Sequence, residues 1–466
     1  MGGVNGQQNG LRRTIGLRTV ISTSAGLTFA SSTFLVVVTV GMLMGGNGAW
    51  LPICIAGVLC AIAAAAFAEL CGLYPNAAGI RVYVQRAFGE EAAQVVALTY
   101  MSVVTLVVGA EAYVLSYVLH TAIPQIAPPI WIFLMITLAT AANFRGLKVA
   151  GMLQDIITYT VVVSIVCMSV AALHHGAFHG ASLIHPGSPG SLFTAVGIAI
   201  FLFVGFEWVT PLAEEVKDHR SIARGMFAAV ILLTVVYSLV ATAMFATTGR
   251  TVLFGSAAHR VPTPHLAFAL TALGHAGEWV MIVTSLFMSL TTFNAGLISV
   301  SRFIYASARD HVLPSQFAHI SLKYATPDIA VFTIYVIALI VSMAVYFTRS
   351  FVTLINLAAV TEAIIYSFAL ATVASLRAKD AARERPYTMI GGRALAIVGS
   401  VLFFLVGLGV VFQNNPAAWG AGILLVVIAL GWFAYVRKVV LPRKEQLKLQ
   451  QKQRRTSRRP QSSEEL

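Results

Sequence analysis

The sequence has few charged residues and none of the common enzyme motifs. Asp, Glu, Lys and Arg make up only 11% of its 466 residues, whereas a soluble domain averages about 25%. Hydrophobic residues make up 58%, and the mean hydropathy is +0.82. This composition excludes a soluble globular protein and is typical of a membrane protein that crosses the bilayer many times. A nucleophile–base motif, a phosphate loop and a CxxC pair are all missing, so we expect no enzymatic activity.

Cysteine is also scarce. Each of the four cysteines (Cys54, Cys60, Cys71 and Cys167) lies in an apolar run. We interpret them as buried small hydrophobes and not as disulfides or metal ligands. The stretch 174–185 (HHGAFHGASLIH) holds four histidines, a pattern that can bind metal. Their irregular spacing favours a solvated loop, so we expect neither a metal site nor a cofactor.

Apolar runs of about 20 residues are long enough to cross a bilayer as helices. The sequence predicts an all-α polytopic membrane protein with twelve such spans and, because twelve is even, both termini on one side. The predicted spans are 20–43, 49–72, 94–120, 127–143, 149–173, 191–213, 225–247, 277–305, 328–347, 350–376, 394–413 and 418–436. Residues 1–19 form a polar, basic N-tail that lacks the apolar region of a signal peptide.

The basic residues indicate which side carries the termini. All lysines and arginines except Arg250, Arg260 and Arg349 fall on the side of the termini, so both termini are predicted to be cytoplasmic, in the cell membrane. The net charge of +13 then reflects this bias and the basic tail 437–466, and no nucleic-acid partner is expected. We interpret the tail as disordered. It is either a lipid-attracting segment or a solvated topology signal.

The stretch 193–226 carries a carboxylate inside an apolar run. Glu207 follows Gly205-Phe206 in the middle of this span. A carboxylate at that depth costs about 2.5–3.5 kcal/mol and usually faces a partner or a wet cavity, and glycine weakens the helix beside it. Many secondary transporters build their substrate site at a helix broken near the midplane. This stretch therefore predicts transport.

Four motifs occur in order along the chain. Phe201, Phe203 and Gly205-Phe206-Glu207 lead to an acidic pair at 214–215, and the others are 67–86 (FAELCGLYPNAAGIRVYVQR), 143–154 (NFRGLKVAGMLQ) and 302–316 (RFIYASARDHVLPSQ). Together they resemble the amino acid–polyamine–organocation (APC) superfamily of permeases over about residues 18–390.

The resemblance implies a fold and a function. The fold is a LeuT-like core of two inverted five-helix repeats, near 20–173 and 191–376, with two peripheral helices in 394–436; the first helix of each repeat is unwound. The function is secondary active transport of amino acids or related amines by alternating access. The alternatives are a polyamine or cationic amino acid exchanger, or a non-transporting amino acid sensor. The partners are a small-molecule substrate and membrane lipids, and the sequence does not indicate an oligomeric state.

The resemblance also places the break in the first span at Ala30-Ser31-Ser32-Thr33. Both glycines of the family pattern are replaced here. Free N–H groups at the start of a half-helix attract an anion, so we expect this segment to hold a substrate carboxylate, with hydroxyl groups as further donors. The alternative is that these hydroxyls bond to their own helix.

Opposite this segment, the unwound stretch at 202–206, including Gly205, is expected to offer carbonyls to a substrate ammonium group. Phe201 and Phe203 are candidates for an aromatic lid over the substrate. Asn294, with Thr291 and Thr292, is a candidate for polar side-wall contacts.

Two further acids lie deep inside spans. Glu111 and Glu362 either join Glu207 in an acidic surround that selects cationic substrates, or carry protons, or form interhelical hydrogen bonds. A lysine that stands in for a bound cation in some relatives is missing near Val161. This absence favours proton coupling or exchange over sodium, although the first-span carbonyls with Ser289 remain a possible sodium site.

Overall fold

The computed structural model describes residues 15–457 except 47, 77, 145–146, 176–186, 214, 219, 250, 254–262, 322–323, 325 and 414. The described residues are almost entirely helical, and the one pairing of β type among them is a backbone bridge between Ile15 and Val216. Most of the N-tail, Glu214, two of the four clustered histidines and the last nine residues lie outside this range.

The helices follow the predicted apolar runs. They are α1 (Leu17–Gly26), α2 (Thr33–Leu43), α3 (Trp50–Leu73), α4 (Ile80–Phe88), α5 (Glu90–Ala122), α6 (Pro128–Phe144), α7 (Leu147–His175), α8 (Pro189–Ala199), α9 (Arg220–Thr247), α10 (Pro264–Arg309), α11 (Asp328–Thr348), α12 (Phe351–Lys379), α13 (Gly392–Val411), α14 (Pro416–Tyr435) and α15 (Leu441–Ser457). Within the described residues, ten helical segments are long and apolar enough to cross a membrane, and α2 and α6 are shorter apolar helices.

Burial separates a core from a periphery. In the most apolar window of α10 and in that of α12, 78% of the residues are buried. The corresponding windows of α13 and of the segment Pro416–Gln450 are only 33% and 11% buried. Large apolar side chains on the outer faces are exposed, for example Ile340 at 64% and Ile423 at 66%. Such faces suit a lipid environment, in which apolar exposure carries no hydrophobic cost.

Two helices are interrupted. The chain leaves α1 at Leu27 and becomes helical again at Thr33, so the break begins three residues before the predicted segment. After α8 it forms a 3₁₀ turn (Ile200–Phe203), an extended residue, a left-handed glycine and a second 3₁₀ segment (Phe206–Leu212). Helix α10 is kinked at Leu273 and Gly274, just before the predicted start of the eighth span.

Electrostatic contacts gather at the end of the bundle where Ile15 lies, which we call the terminal face. The Ile15 N–H donates to the carbonyl of Glu215, and the Lys217 N–H donates to the carbonyl of Ile15. The Arg302 guanidinium pairs with Glu215 at 3.3 Å, with both side chains buried. The N-terminal segment is thereby fixed against the segment that follows the second broken helix.

The C-tail differs from the expectation of disorder in its first part. A short π-helical turn (Val436–Val440) and α15 continue directly from α14. The run of Leu, Lys, Gln and Arg has high helix propensity, and Lys444 and Arg437 pair with Glu90 and Glu91 at the start of α5. These contacts give residues 437–444 a partner that their composition does not reveal.

Candidate binding site at two broken helices

The break between α1 and α2 leaves backbone N–H groups without helical partners. The first N–H groups of a helix have no carbonyl one turn earlier to bond, and the helix dipole attracts anions to this end. Ser31 and Ser32 immediately precede Thr33, the first residue of α2. Their N–H groups are therefore positioned to bind an anion.

Glu111 of α5 occupies this position. Its Oε1 accepts the Ser31 N–H at 2.6 Å and the Ser289 hydroxyl at 2.5 Å, and its Oε2 accepts the Ser32 N–H at 3.2 Å. The Glu111 side chain is buried, and all of these donors are neutral. We call the N–H groups of Ser31 and Ser32 together with the Ser289 hydroxyl the anion site.

The hydroxyl groups of the break are used within the protein. The Ser31 hydroxyl donates to the Ser285 carbonyl at 3.0 Å and lies 3.0 Å from the Ser289 hydroxyl. The Thr33 hydroxyl donates to the Ala30 carbonyl at 2.5 Å, a bond to its own turn that is common for threonine. The Ser32 side chain also interacts with Glu111, so both the backbone and one hydroxyl of this segment meet a carboxylate.

A cavity lies beside the anion site. Its polar lining consists of Thr28, Ser32, Glu111 and Thr292. Its apolar lining consists of Leu27, Ala30, Val104, Val107, Val108, Phe201 and Val204. Both broken helices therefore contribute walls to one space with a single carboxylate.

The second break is formed around Gly205. This residue has φ 111° and ψ −7°, values that side-chain-bearing residues rarely adopt. A Cβ at this position would lie 2.5 Å from Cδ2 of Leu27. The absence of a side chain thus lets the two breaks approach each other closely.

Glu207 follows this glycine and is held by two phenols. The Tyr100 hydroxyl of α5 donates to Oε1, and the Tyr366 hydroxyl of α12 donates to Oε2 at 2.9 Å. Glu207 and Tyr100 line a second cavity, bounded also by Phe67, Gly79, Ile80, Trp208, Thr210, Pro211 and Phe303. Glu207 thus lies at a different cavity from Glu111.

Glu362 is close to Glu207 rather than to Glu111. The two carboxyl groups interact electrostatically, and both also interact with Cys60. Neither oxygen of Glu362 makes a hydrogen bond of good geometry among the described residues, although the Tyr366 hydroxyl is nearby and the side chain is only 1% exposed. An ionised carboxylate is costly in such surroundings, so this site suits a proton or a cation.

Carbonyls of α1 and of the first break accept hydrogen bonds from neighbouring helices. The Ser22 carbonyl accepts from Gln154 at 3.2 Å and from Thr158 at 3.3 Å. The Thr28 carbonyl accepts from Tyr237 at 2.7 Å. Gln154 and Thr158, one to two turns before Val161, thus connect α7 to α1, and Asp155 between them adds further contacts to α1.

The carbonyl of Phe29 accepts the Thr292 hydroxyl at 2.9 Å and the Thr291 hydroxyl at 3.4 Å. Both threonines of α10 therefore contact the first break. Asn294 instead joins an interhelical amide chain: its Oδ1 accepts from Asn143 at 3.0 Å, and its Nδ2 donates to Gln154 at 2.9 Å.

The structure brings some of the predicted site residues together and separates others. Ala30, Ser32, Phe201 and Glu111 share one cavity, with Ser31 bonded to the same carboxylate. Glu207 lines the second cavity. Phe203 is fully buried, and neither Phe203 nor Asn294 lines either of these two cavities. Their proposed contacts with substrate stay predictions.

Sequence reasoning missed the two tyrosines that hold Glu207. Tyr100 and Tyr366 come from different helices, and no local motif marks either of them. Each tyrosine within an apolar span needs a partner for its hydroxyl when buried. The presence of a tyrosine inside the third and the tenth predicted span therefore indicates that each hydroxyl has a buried polar partner, such as a carboxylate in another span.

A buried ion-pair cluster joins α3 to the loop after α12 at the terminal face. Glu69 accepts from Nε and Nη2 of Arg377 at 3.0 and 2.5 Å, from Arg385 at 3.0 Å, and from the Met389 N–H at 2.8 Å. Glu69 therefore organises this loop.

No group of three or more metal-ligating side chains occurs among the described residues. Two of the clustered histidines, His179 and His185, lie outside that part of the chain. The expected absence of a metal site stays a prediction.

Known proteins resemble this chain over most of its length. A family model described as amino acid permease matches residues 15–434. The uncharacterized amino acid permease YecA of Bacillus subtilis is 26% identical over 266 residues, which cover 56% of this chain and 61% of YecA. Human Asc-type amino acid transporter 1 is 25% identical over 81% of this chain and 73% of its own length.

The low-affinity putrescine importer PlaP of Escherichia coli is 25% identical over 321 residues, which cover 65% of this chain and 69% of PlaP. The name of PlaP refers to an amine, whereas the other two names refer to amino acids. The family match and the apolar helices together assign the class of protein. This chain is a multi-pass membrane protein of the amino acid permease family, within the APC superfamily, and is a transporter rather than an enzyme.

Proposed function

We propose that this protein is a secondary active transporter that moves amino acids or related amines across the cell membrane by alternating access. The observation that carries the proposal is the pair of broken helices that wall one cavity, with the backbone N–H groups just before α2 donating to a carboxylate. Such breaks are where many secondary transporters bind solutes. The names of the relatives support the substrate class.

The proposed fold is two inverted five-helix repeats near residues 20–173 and 191–376, with α13 and α14 outside them. The breaks at 27–32 and around Gly205 support this proposal, since each falls in the first helix of a proposed repeat. The low burial of α13 and α14 supports their peripheral position.

We place both termini in the cytoplasm. The positive-inside rule supports this orientation, since the terminal face carries Arg81, Arg302, Arg377 and Arg385. In this orientation the contacts of the terminal face close the cytoplasmic route to the cavity. Inward opening then requires separation of Arg302 from Glu215 and of Ile15 from Val216.

For coupling, we favour protons or substrate exchange over sodium. Glu207 and Glu362 form a buried pair of carboxyl groups suited to carrying a proton. The carbonyls of Thr28 and Phe29, which would be the cation ligands of the first break, accept hydrogen bonds from protein donors. This arrangement supports a mechanism without a resident sodium ion.

Counterflow in proteoliposomes tests the proposal. Vesicles loaded with one unlabelled amino acid or amine should take up the same labelled compound transiently, because a carrier exchanges solute without an energy source. An imposed inward proton gradient should raise net uptake if coupling is to protons, and a sodium gradient should not.

Empty vesicles and vesicles with Glu207→Gln serve as controls. If folded protein binds a compound by thermal shift but shows neither counterflow nor net uptake of it, transport is refuted and the sensor alternative gains support.

A further inference from the structure

The anion site at the start of α2 is occupied by the protein's own carboxylate. Glu111 takes both backbone N–H groups of the break and the Ser289 hydroxyl, at 2.5 to 3.2 Å. In transporters with broken helices, the N-terminal end of a half-helix is where an anionic group of the solute binds. Here that position is filled before any solute arrives.

A free amino acid carries an α-carboxylate that would need the same donors. Beside Glu111 it would meet a like charge in a buried, weakly polar environment, where such repulsion is strong. It would also find the two N–H groups already bonded. An ammonium group meets the opposite situation, because Glu111 accepts only from neutral donors.

The lining of the cavity adds to this argument. Apart from Glu111, the polar lining residues are Thr28, Ser32 and Thr292. The remaining walls are aliphatic or aromatic. No lysine or arginine lines this cavity. The space thus provides one negatively charged hydrogen-bond acceptor and an apolar surface. It provides no cationic side chain that could pair with a second carboxylate.

We propose that Glu111 is a built-in substitute for the substrate carboxylate, so that the preferred ligand is an amine that lacks an α-carboxylate. This inference rests on the proposed function, because it concerns the ligand of the same site. Glu111 lines the cavity, so the ammonium group binds its carboxylate from the cavity side while the apolar body of the amine packs on Phe201, Val104 and Val108.

The test uses pairs of compounds that differ only by the α-carboxylate: phenethylamine and phenylalanine, isoamylamine and leucine, putrescine and ornithine. Binding to the purified full-length protein is measured by calorimetry and thermal shift. In each pair for which binding is detected, we expect the amine to bind about 10- to 100-fold more tightly than the amino acid. This range corresponds to hydrogen bonds to charged groups.

Glu111→Ala vacates the anion site. We expect this variant to lose the preference for amines, to gain binding of the amino acids, and to recover part of its amine binding when acetate is added. Glu111→Gln keeps the shape and should weaken amines about tenfold or more without a gain for amino acids. Because Glu111→Ala could fail to fold, Ser289→Ala provides a milder change, with a smaller weakening of amines.

Glu278→Gln is the matched control, since this acid pairs with His275 away from both cavities. It should bind like the wild type. Tighter binding of the amino acids to the wild type, or no binding of any compound, overturns the inference. Amine-selective binding without counterflow would instead support the inference and refute transport, so the two proposals fail separately.

Discussion

A methyl group at Gly205 should disrupt the contact between the two breaks. The residue has φ 111°, and a side-chain-bearing residue in that conformation costs about 1–3 kcal/mol. The added Cβ would also lie 2.5 Å from Cδ2, 2.7 Å from Cγ and 3.0 Å from Cβ of Leu27. Such overpacking costs about 1–3 kcal/mol more. We therefore expect Gly205→Ala to destabilise the observed conformation by about 2–6 kcal/mol.

The two contributions can be separated. Leu27→Ala removes the two nearest atoms but leaves the backbone conformation unchanged, so the double variant Gly205→Ala/Leu27→Ala should recover the packing part only. The coupling energy of this double-mutant cycle should therefore be about 1–3 kcal/mol. Thermal unfolding in detergent and counterflow at matched protein amounts provide the two measurements.

Gly431→Ala is the control for the loss of a glycine. Gly431 lies in α14, and a Cβ there would meet no atom within 4 Å, so this variant should be at least as stable as the wild type. If Gly205→Ala matched Gly431→Ala in both assays, the close approach of the breaks would have no importance for stability or transport.

Three further predictions concern other contacts. Glu207→Gln should lower transport at least about tenfold, because an amide offers only one acceptor to the Tyr100 and Tyr366 hydroxyls and leaves a buried donor unsatisfied; near-normal uptake at matched expression would contradict this. Ser32→Pro should abolish solute binding, because it removes the N–H group from which Glu111 accepts a hydrogen bond at 3.2 Å. Ser32→Ala should weaken the free energy of solute binding by only about 1 kcal/mol. Calorimetry distinguishes the two variants. Glu69→Gln should lower the free energy of unfolding by about 3 kcal/mol, because it removes the charge that Arg377 and Arg385 share. Thermal unfolding measures this change, and an unchanged unfolding temperature would show that the ion-pair cluster is dispensable.

The fold class followed from the sequence because composition and run length decide it. Apolar runs predicted the membrane helices, and the mid-span carboxylate after Gly205 indicated the second break. The first break begins three residues before the predicted segment 30–33 and overlaps it, because that segment lacks the glycines that would mark the start. The eighth span was predicted to start at 277, whereas α10 begins at Pro264, since a kink at Gly274 ends the pattern that run length detects.

The partners of the buried acids were beyond the sequence. Which way a membrane helix faces depends on its packing against neighbouring helices, so neither the Tyr100–Glu207 contact nor the Ser289–Glu111 contact could be inferred from spacing. The helical tail was missed for a related reason. Its contacts with Glu90 and Glu91 are tertiary and leave no local pattern.

The three buried acids do not form one acidic surround, and this changes how their roles must be tested. Glu111 is bonded to the first break by neutral donors, whereas Glu207 and Glu362 interact with each other and with the phenols of Tyr100 and Tyr366. A double variant of Glu111 and Glu362 would therefore alter two sites at once. If Glu111 selects the solute and the other pair carries the proton, Glu111→Gln should change which compounds bind but leave the response to a proton gradient intact. Glu362→Gln should do the reverse, so only the single variants can separate selectivity from coupling.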